Sequence, residues 1–122
     1  WLLSDFRHRQ AHQQAQAAIL ARYDHLLVDQ VARGALLPLV HELPPTTMVY
    51  AAHPEDILRS AEEWEPALRE AEGPKAYVSN VFGDTSGADR RAVIRLVRDR
   101  GWDVPDQPTR LFPTWRLYEL TR

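Results

Sequence analysis

Apolar positions recur with helical spacing in the first third of the chain. Residues 4–33 contain neither proline nor glycine, and Ile19, Tyr23 and Leu26 follow one another at intervals of three to four residues. This period is typical of an amphipathic helix that buries one face. The sequence therefore predicts one long N-terminal helix that ends before Gly34.

The first half of this predicted helix is polar on all sides, so it cannot pack into a core. Before it, Trp1 and two leucines are followed at once by charged residues, a pattern typical of the last turn of a membrane helix at the water interface. We expect residues 1–16 to form a polar helical stalk, and residues 17–122 to form a single α/β domain. One interpretation of the stalk is the exit from a membrane span. The alternative is a hydrophobic N-terminal turn with no membrane attached.

Short apolar runs alternate with helical stripes in the rest of the chain. Three runs predict strands, and the first, residues 46–52, is apolar throughout, which suits a strand covered on both faces. Between the strands, stripes at helical spacing predict two helices, and Trp64 lies in the middle of the first stripe, where we expect it in the core. The predicted strands are residues 46–52, 75–82 and 111–121, and the predicted helices are residues 55–72 and 86–101.

Strands that alternate with helices are typical of βαβ crossovers in a parallel sheet. We therefore predict a small α/β fold with a mainly parallel sheet of three to four strands next to the long N-terminal helix. The strands at 46–52 and 75–82 should run parallel to each other. The final strand returns antiparallel if the turn before it is tight.

Composition excludes several classes of function. The 122 residues include no cysteine, which excludes disulfides, thiolate metal sites and a cysteine nucleophile. The formal charge of −2 argues against a nucleic-acid partner, because such domains are usually basic. Arg91, Arg95 and Arg98 form a basic stripe at helical spacing, which we interpret as a solvated helix face. It either faces the acidic helix at 55–72 or stands apart from it in solvent.

His53, Pro54, Glu55 and Asp56 follow a predicted strand and open a helix. With Ala52 they resemble the Ala-His-Pro-Asp-Asp motif of the zinc-dependent N-acetylglucosaminyl deacetylase family, in which the histidine and the last aspartate bind zinc. A catalytic zinc needs three protein ligands, and no histidine follows His53. We therefore expect no catalytic residue, metal or cofactor here, and interpret Pro54 and the two acids as a helix start.

A second interpretation of this region is a ligand site without chemistry. In a parallel sheet, the loops that follow the strands leave from one edge, where α/β proteins bind ligands. Polar side chains and helix N-terminal amides at that edge suit a small anionic or sugar ligand. Simple helix capping, with Ser86 as N-cap, is the alternative. The predicted ligand-binding residues are His53, Asn80, Thr85 and Ser86.

The layout of the chain also resembles a protein family. Leu43-Pro44-Pro45 precedes an apolar strand, and the sequence from Trp115 to Leu120 closes the domain. Together with the N-terminal stump these parts resemble the C-terminal soluble domain of polytopic membrane glycosyltransferases of the lipid-phosphate-sugar mannosyltransferase type. The resemblance implies a non-catalytic accessory tail whose partner is the membrane-embedded part of its own chain.

The same resemblance implies a membrane-associated domain on the extracytoplasmic side. Arg7, His8 and Arg9 directly after a span favour the cytoplasmic side instead, so both sides stay open. The alternative function is a free-standing α/β binding or regulatory module that contacts a small anion or a protein partner.

Overall fold

A five-stranded mixed sheet forms the centre of the protein in the computed structural model. The structure describes residues 14–29, 43–70, 72–80, 87–111 and 115–122. The helices are α1, described over residues 14–20, α2 (Pro54–Arg59) and α3 (Ala88–Asp99), and a π-helical turn spans Pro66–Glu70. The strands are β1 (His25–Asp29), β2 (Met48–Ala52), β3 (Lys75–Asn80), β4 (Thr109–Leu111) and β5 (Trp115–Leu120).

The strand order is β2-β1-β3-β5-β4, with two parallel and two antiparallel pairings. Strand β1 pairs in parallel with β2 and with β3, while β5 pairs antiparallel with β3 and β4. The predicted mainly parallel sheet of three to four strands is therefore wrong. Strands β2 and β3, which the sequence placed at 46–52 and 75–82, do run in the same direction, but β1 lies between them.

The predicted N-terminal helix is also wrong. The described helix ends at Leu20, a turn follows, and His25–Asp29 form the central strand β1. Leu26, Leu27 and Val28 are all fully buried, because helices and loops cover the sheet on both faces. A continuous apolar run is compatible with either a strand covered on both faces or a buried helix, so its spacing could not separate the two.

The helix predicted over 55–72 is interrupted. Helix α2 ends at Arg59, and Ala61 adopts φ 52°, a left-handed conformation that stops an α-helix. The chain then re-forms a helical turn of π type that begins at Pro66, which has no backbone N–H to donate. Ile57, Ala61 and Trp64 are nevertheless buried together, so the stripe identified core residues although its helix is broken.

Further along the chain, Gly87 occupies the N-cap of α3 with φ 71°, so the prediction that Ser86 caps this helix is wrong. Gly101 follows the helix with φ 92°, a left-handed position that suits glycine at a helix end. The strand predicted over 111–121 divides into β4 and β5. Between α3 and β4, Asp103 forms an isolated antiparallel bridge with Thr121.

Two apolar layers enclose the sheet. One face packs against α2, the π-helical turn and α3, and its largest side chain, Trp64, is 0% exposed, which confirms the prediction that it lies in the core. The other face packs against α1 through Leu20 and Tyr23. Both layers place their apolar side chains alternately along the strands, as the pleat requires.

Residues 1–13 of the predicted stalk lie outside the described residues. Among residues 14–16, which are described, Gln16 is only 7% exposed, and its Oε1 atom has no hydrogen-bond partner. None of the described helices is long and apolar enough to cross a bilayer.

Candidate functional site

His53 follows β2 and occupies the N-cap of α2. Its side chain is exposed and makes no capping hydrogen bond, while its carbonyl oxygen accepts hydrogen bonds from the backbone N–H groups of Asp56 and Ile57, both at 3.0 Å. Pro54 starts the helix, and Glu55 and Asp56 occupy the first turn, where acids complement the helix dipole. Within the part of the chain that the structure describes, no group of three or more acidic or histidine residues could hold a metal ion.

The predicted ligand residues are not all brought together. Asn80 is the last residue of β3, whereas Thr85 and Ser86 lie outside the described residues. Because β1 separates β2 from β3, His53, which follows β2, and Asn80, which ends β3, lie at strands two positions apart, a distance of roughly 9.6 Å across the sheet. The strand end between them belongs to Asp29.

Asp29 is a buried acid that the sequence analysis missed. It ends β1, is 1% exposed, and accepts hydrogen bonds at Oδ2 from the Tyr77 hydroxyl and, at 3.0 Å, from the Ser79 hydroxyl. Burial, followed by the negative charge of Asp29, raises the pKa of the Tyr77 hydroxyl well above its ordinary value. Tyr77 is therefore held as a hydrogen-bond donor, and the cluster joins β1 to β3.

The side chain of Tyr77 connects this cluster to a second feature. Tyr77 and Tyr118 are register partners on β3 and β5, and their rings stack with centroids 5.7 Å apart. On its other side, Tyr118 lines a groove of about 460 Å³ between α3 and β5. We call this the arginine groove, and its lining residues are Arg90, Arg91, Ile94, Arg95, Arg98, Asp99, Pro105, Asp106 and Tyr118.

The arginine groove carries an excess of positive charge, because four arginines face two aspartates. Arg98 is engaged within the chain: its Nη2 atom donates to the carbonyl oxygen of Val104 at 2.7 Å and to Asp106 at 3.4 Å. Arg95 differs, since it makes no ion pair or hydrogen bond among the described residues. The charge of the groove is thus only partly neutralised by the protein.

The acidic segment after α2 pairs with an arginine at the end of α3 that lies outside the groove. Helices α2 and α3 are neighbours, and Arg100 reaches across to Glu65, which also pairs with Arg69 at 3.2 Å. Arg100 does not line the arginine groove. The basic stripe predicted at Arg91, Arg95 and Arg98 lines a concave surface beside β5.

The sequence indicated the row of arginines but not the groove that they line. The stripe at helical spacing was visible, whereas its opposite wall comes from Pro105, Asp106 and Tyr118, which only the fold places there. Asp29 had a weak local signal, a single acid at the end of three apolar residues.

The chain matches no protein-family model, no curated protein and no solved structure. The geometry of the arginine groove is therefore the basis for the functional proposal below.

Proposed function

We propose that this chain is a non-catalytic α/β binding domain that holds a small anion in the arginine groove. The observation that carries the proposal is Arg95, which lines a groove with three further arginines and has no ion-pair partner among the described residues. An anion between these guanidinium groups would offset their mutual repulsion. It would also accept charge-assisted hydrogen bonds, which are about twice as strong as neutral ones.

The concentration of charge is local. The whole chain has a formal charge of −2, so the excess of arginine in the groove is not a property of the surface in general. Because only Lys75 among the cations is a lysine, the choice of arginine over lysine carries no information here. Their convergence on one concave surface does carry information, since α3 could equally have exposed them to open solvent.

The lining favours binding over chemistry. Its described side chains are those of arginine, isoleucine, aspartate, proline and tyrosine, so it offers no serine, cysteine or histidine nucleophile. Arginine keeps its proton at all ordinary pH values and cannot serve as a base. The groove volume of about 460 Å³ lies within the usual range for small-ligand sites.

A second candidate function concerns the whole protein to which this domain belongs. The phrases Leu43-Pro44-Pro45 and Trp115–Leu120 support an accessory domain of a membrane glycosyltransferase that uses a lipid-linked sugar. Its partner would be the membrane-embedded part of the same chain, with the domain outside the cytoplasm. The sequence that precedes Trp1 tests this candidate: several hydrophobic spans would support it, and a different soluble domain would exclude it.

The anion proposal is tested by titration of the protein with inorganic phosphate, followed by backbone chemical shifts. We expect saturable shifts at α3 and at residues 105–106, and an affinity that is weaker by about tenfold or more in Arg95→Gln, because one charge-assisted contact is worth roughly 1.5–3 kcal/mol. Arg59→Gln is the matched control, since it removes the same charge from an exposed pair on α2. Shifts that do not saturate, or an equal loss in both variants, would contradict the proposal.

A further inference from the structure

We infer that the ligand of the arginine groove is a phosphate ester whose far end carries hydroxyl groups. This inference rests on the proposed function. It follows from the order of charges along the groove: Arg90, Arg91 and Arg95 precede Asp99 on α3, and Asp106 lies beside Arg98, 3.4 Å away.

The cationic end is formed by Arg90, Arg91 and Arg95 of α3. Arg91 and Arg95 are one helical turn apart, so their Cβ atoms are separated by roughly 5–6 Å on one helix face. Arg90 and Arg91 place guanidinium nitrogens 2.9 and 3.1 Å from the position that a Cβ atom on Gly87 would occupy, which keeps both groups at this end. A phosphate group, with its several acceptor oxygens, can bind more than one guanidinium there.

The other end of the groove, near Asp99 and Asp106, favours hydrogen-bond donors over an anion. Asp99 lies one turn beyond Arg95, and the Asp106 side chain, 94% exposed, lies across the groove, so both carboxylates can accept hydrogen bonds from a ligand. Arg98 is at the same end, but it already donates to Val104 and Asp106. Its charge opposes a ligand ammonium group, which leaves neutral hydroxyl groups as the donors that fit best.

The dimensions agree with a short ester. The separation of roughly 5–6 Å between the Cβ atoms of Arg95 and Asp99 is close to the length of glycerol phosphate. Ile94 and Pro105 also line the groove and offer apolar atoms to a short carbon chain. Inorganic phosphate alone would fill only a small part of about 460 Å³.

Calorimetric titration of the full chain with glycerol phosphate and with propyl phosphate tests the inference, because these esters differ only in the two hydroxyl groups. We expect glycerol phosphate to bind about fivefold or more tightly, as one or two hydrogen bonds to charged acceptors would provide. In Asp99→Ala this preference should fall to about twofold or less, while propyl phosphate should bind at least as tightly as before. Glu119→Ala, which removes an exposed acid from β5 outside the groove, should keep the preference.

The outcomes separate the two proposals. Equal binding of glycerol phosphate and propyl phosphate would overturn this inference and leave the anion proposal standing. No binding of either ester or of inorganic phosphate would overturn both. Tighter binding of phosphoethanolamine than of glycerol phosphate would also overturn the inference, because the far end would then select a cation.

The same glycerol phosphate chemistry occurs in free metabolites and in lipid headgroups. Cosedimentation with vesicles of phosphatidylcholine containing phosphatidic acid or phosphatidylglycerol distinguishes these sources. Sedimentation that requires the anionic lipid and is lost in Arg95→Gln would support the inference with a lipid ligand. Binding of soluble glycerol phosphate without sedimentation would support it with a free ester.

Discussion

The Tyr77 hydroxyl donates a hydrogen bond to the carboxylate of Asp29 across the central pair of parallel strands. Both residues are buried, and Ser79 supplies a second hydroxyl to the same oxygen, Oδ2, at 3.0 Å. A buried carboxylate is costly unless donors surround it, so these hydroxyls decide whether the acid can remain at the end of β1.

Removal of the Tyr77 hydroxyl should destabilise the protein. We expect Tyr77→Phe to lower the free energy of unfolding by about 1–3 kcal/mol, because the buried carboxylate loses a donor. Urea denaturation measures the loss. Tyr50→Phe is the control: its hydroxyl contacts His25 Nδ1 at 3.1 Å in a half-buried position, and it should cost less. Equal losses of unfolding free energy in the two variants would show that the hydrogen bond to Asp29 stabilises the protein no more than the contact with His25.

Alkaline pH should weaken the fold through Tyr77. Burial and Asp29 raise its pKa in the folded protein, so the folded state keeps the proton that the unfolded state releases. The stabilisation is complete below about pH 10, the ordinary tyrosine pKa, and is lost as pH rises through the folded pKa. In that window the free energy of unfolding should fall by about 1.4 kcal/mol per pH unit for this residue. Denaturation midpoints across the window measure it.

Tyr23 should also make the protein less stable at alkaline pH, because burial raises its pKa as well. Tyr77→Phe should therefore reduce the alkaline loss of stability without abolishing it. An alkaline slope that is identical in wild type and Tyr77→Phe would contradict the assignment.

Trp64→Ala should cost about 3–5 kcal/mol, because a fully buried indole leaves a large cavity. The variant also loses the hydrogen bond from Nε1 to the carbonyl oxygen of Tyr50, which is 3.2 Å long. Thermal or urea unfolding measures the change. Leu58→Ala, on the exposed side of α2 with 41% of the residue accessible, should change stability by about 0.5 kcal/mol or less. A small effect at Trp64 would contradict the packing described above.

Alanine substitutions at two glycines distinguish the cost of backbone strain from the cost of steric overlap. Gly73 (φ 101°) and Gly101 (φ 92°) both have left-handed backbones, so an alanine at either site costs roughly 1–2 kcal/mol in strain. A Cβ atom at Gly73 would also overlap Oδ2 of Asp24 and approach Asp24 Cβ to 3.2 Å, whereas at Gly101 it would meet nothing within 4 Å. Gly73→Ala should therefore be the more destabilising variant in urea unfolding. The reverse order would contradict this close approach.

Several elements followed from local pattern alone. The apolar runs that became β2 and β3 lie between clear turn signals, and α3 has a helical stripe that ends at Gly101. The burial of Trp64 followed from its place in a stripe, although the helix that was expected to carry it is broken at Ala61. Alternation between apolar and polar positions is a local property. It therefore identified a buried residue correctly even where the predicted helix was wrong.

Tertiary structure decided the identity of β1, the order of the strands and the arginine groove. Leu26, Leu27 and Val28 fit a buried helix as well as a strand, and only hydrogen bonding to β2 and β3 on either side determines which one forms. Insertion of β1 then places Asp29 beside Ser79, and the antiparallel return of β5 places Tyr118 opposite the arginines of α3. The sequence thus indicated which types of residue each region contributes. Which residues become neighbours in space depends on long-range strand pairings that no local pattern encodes.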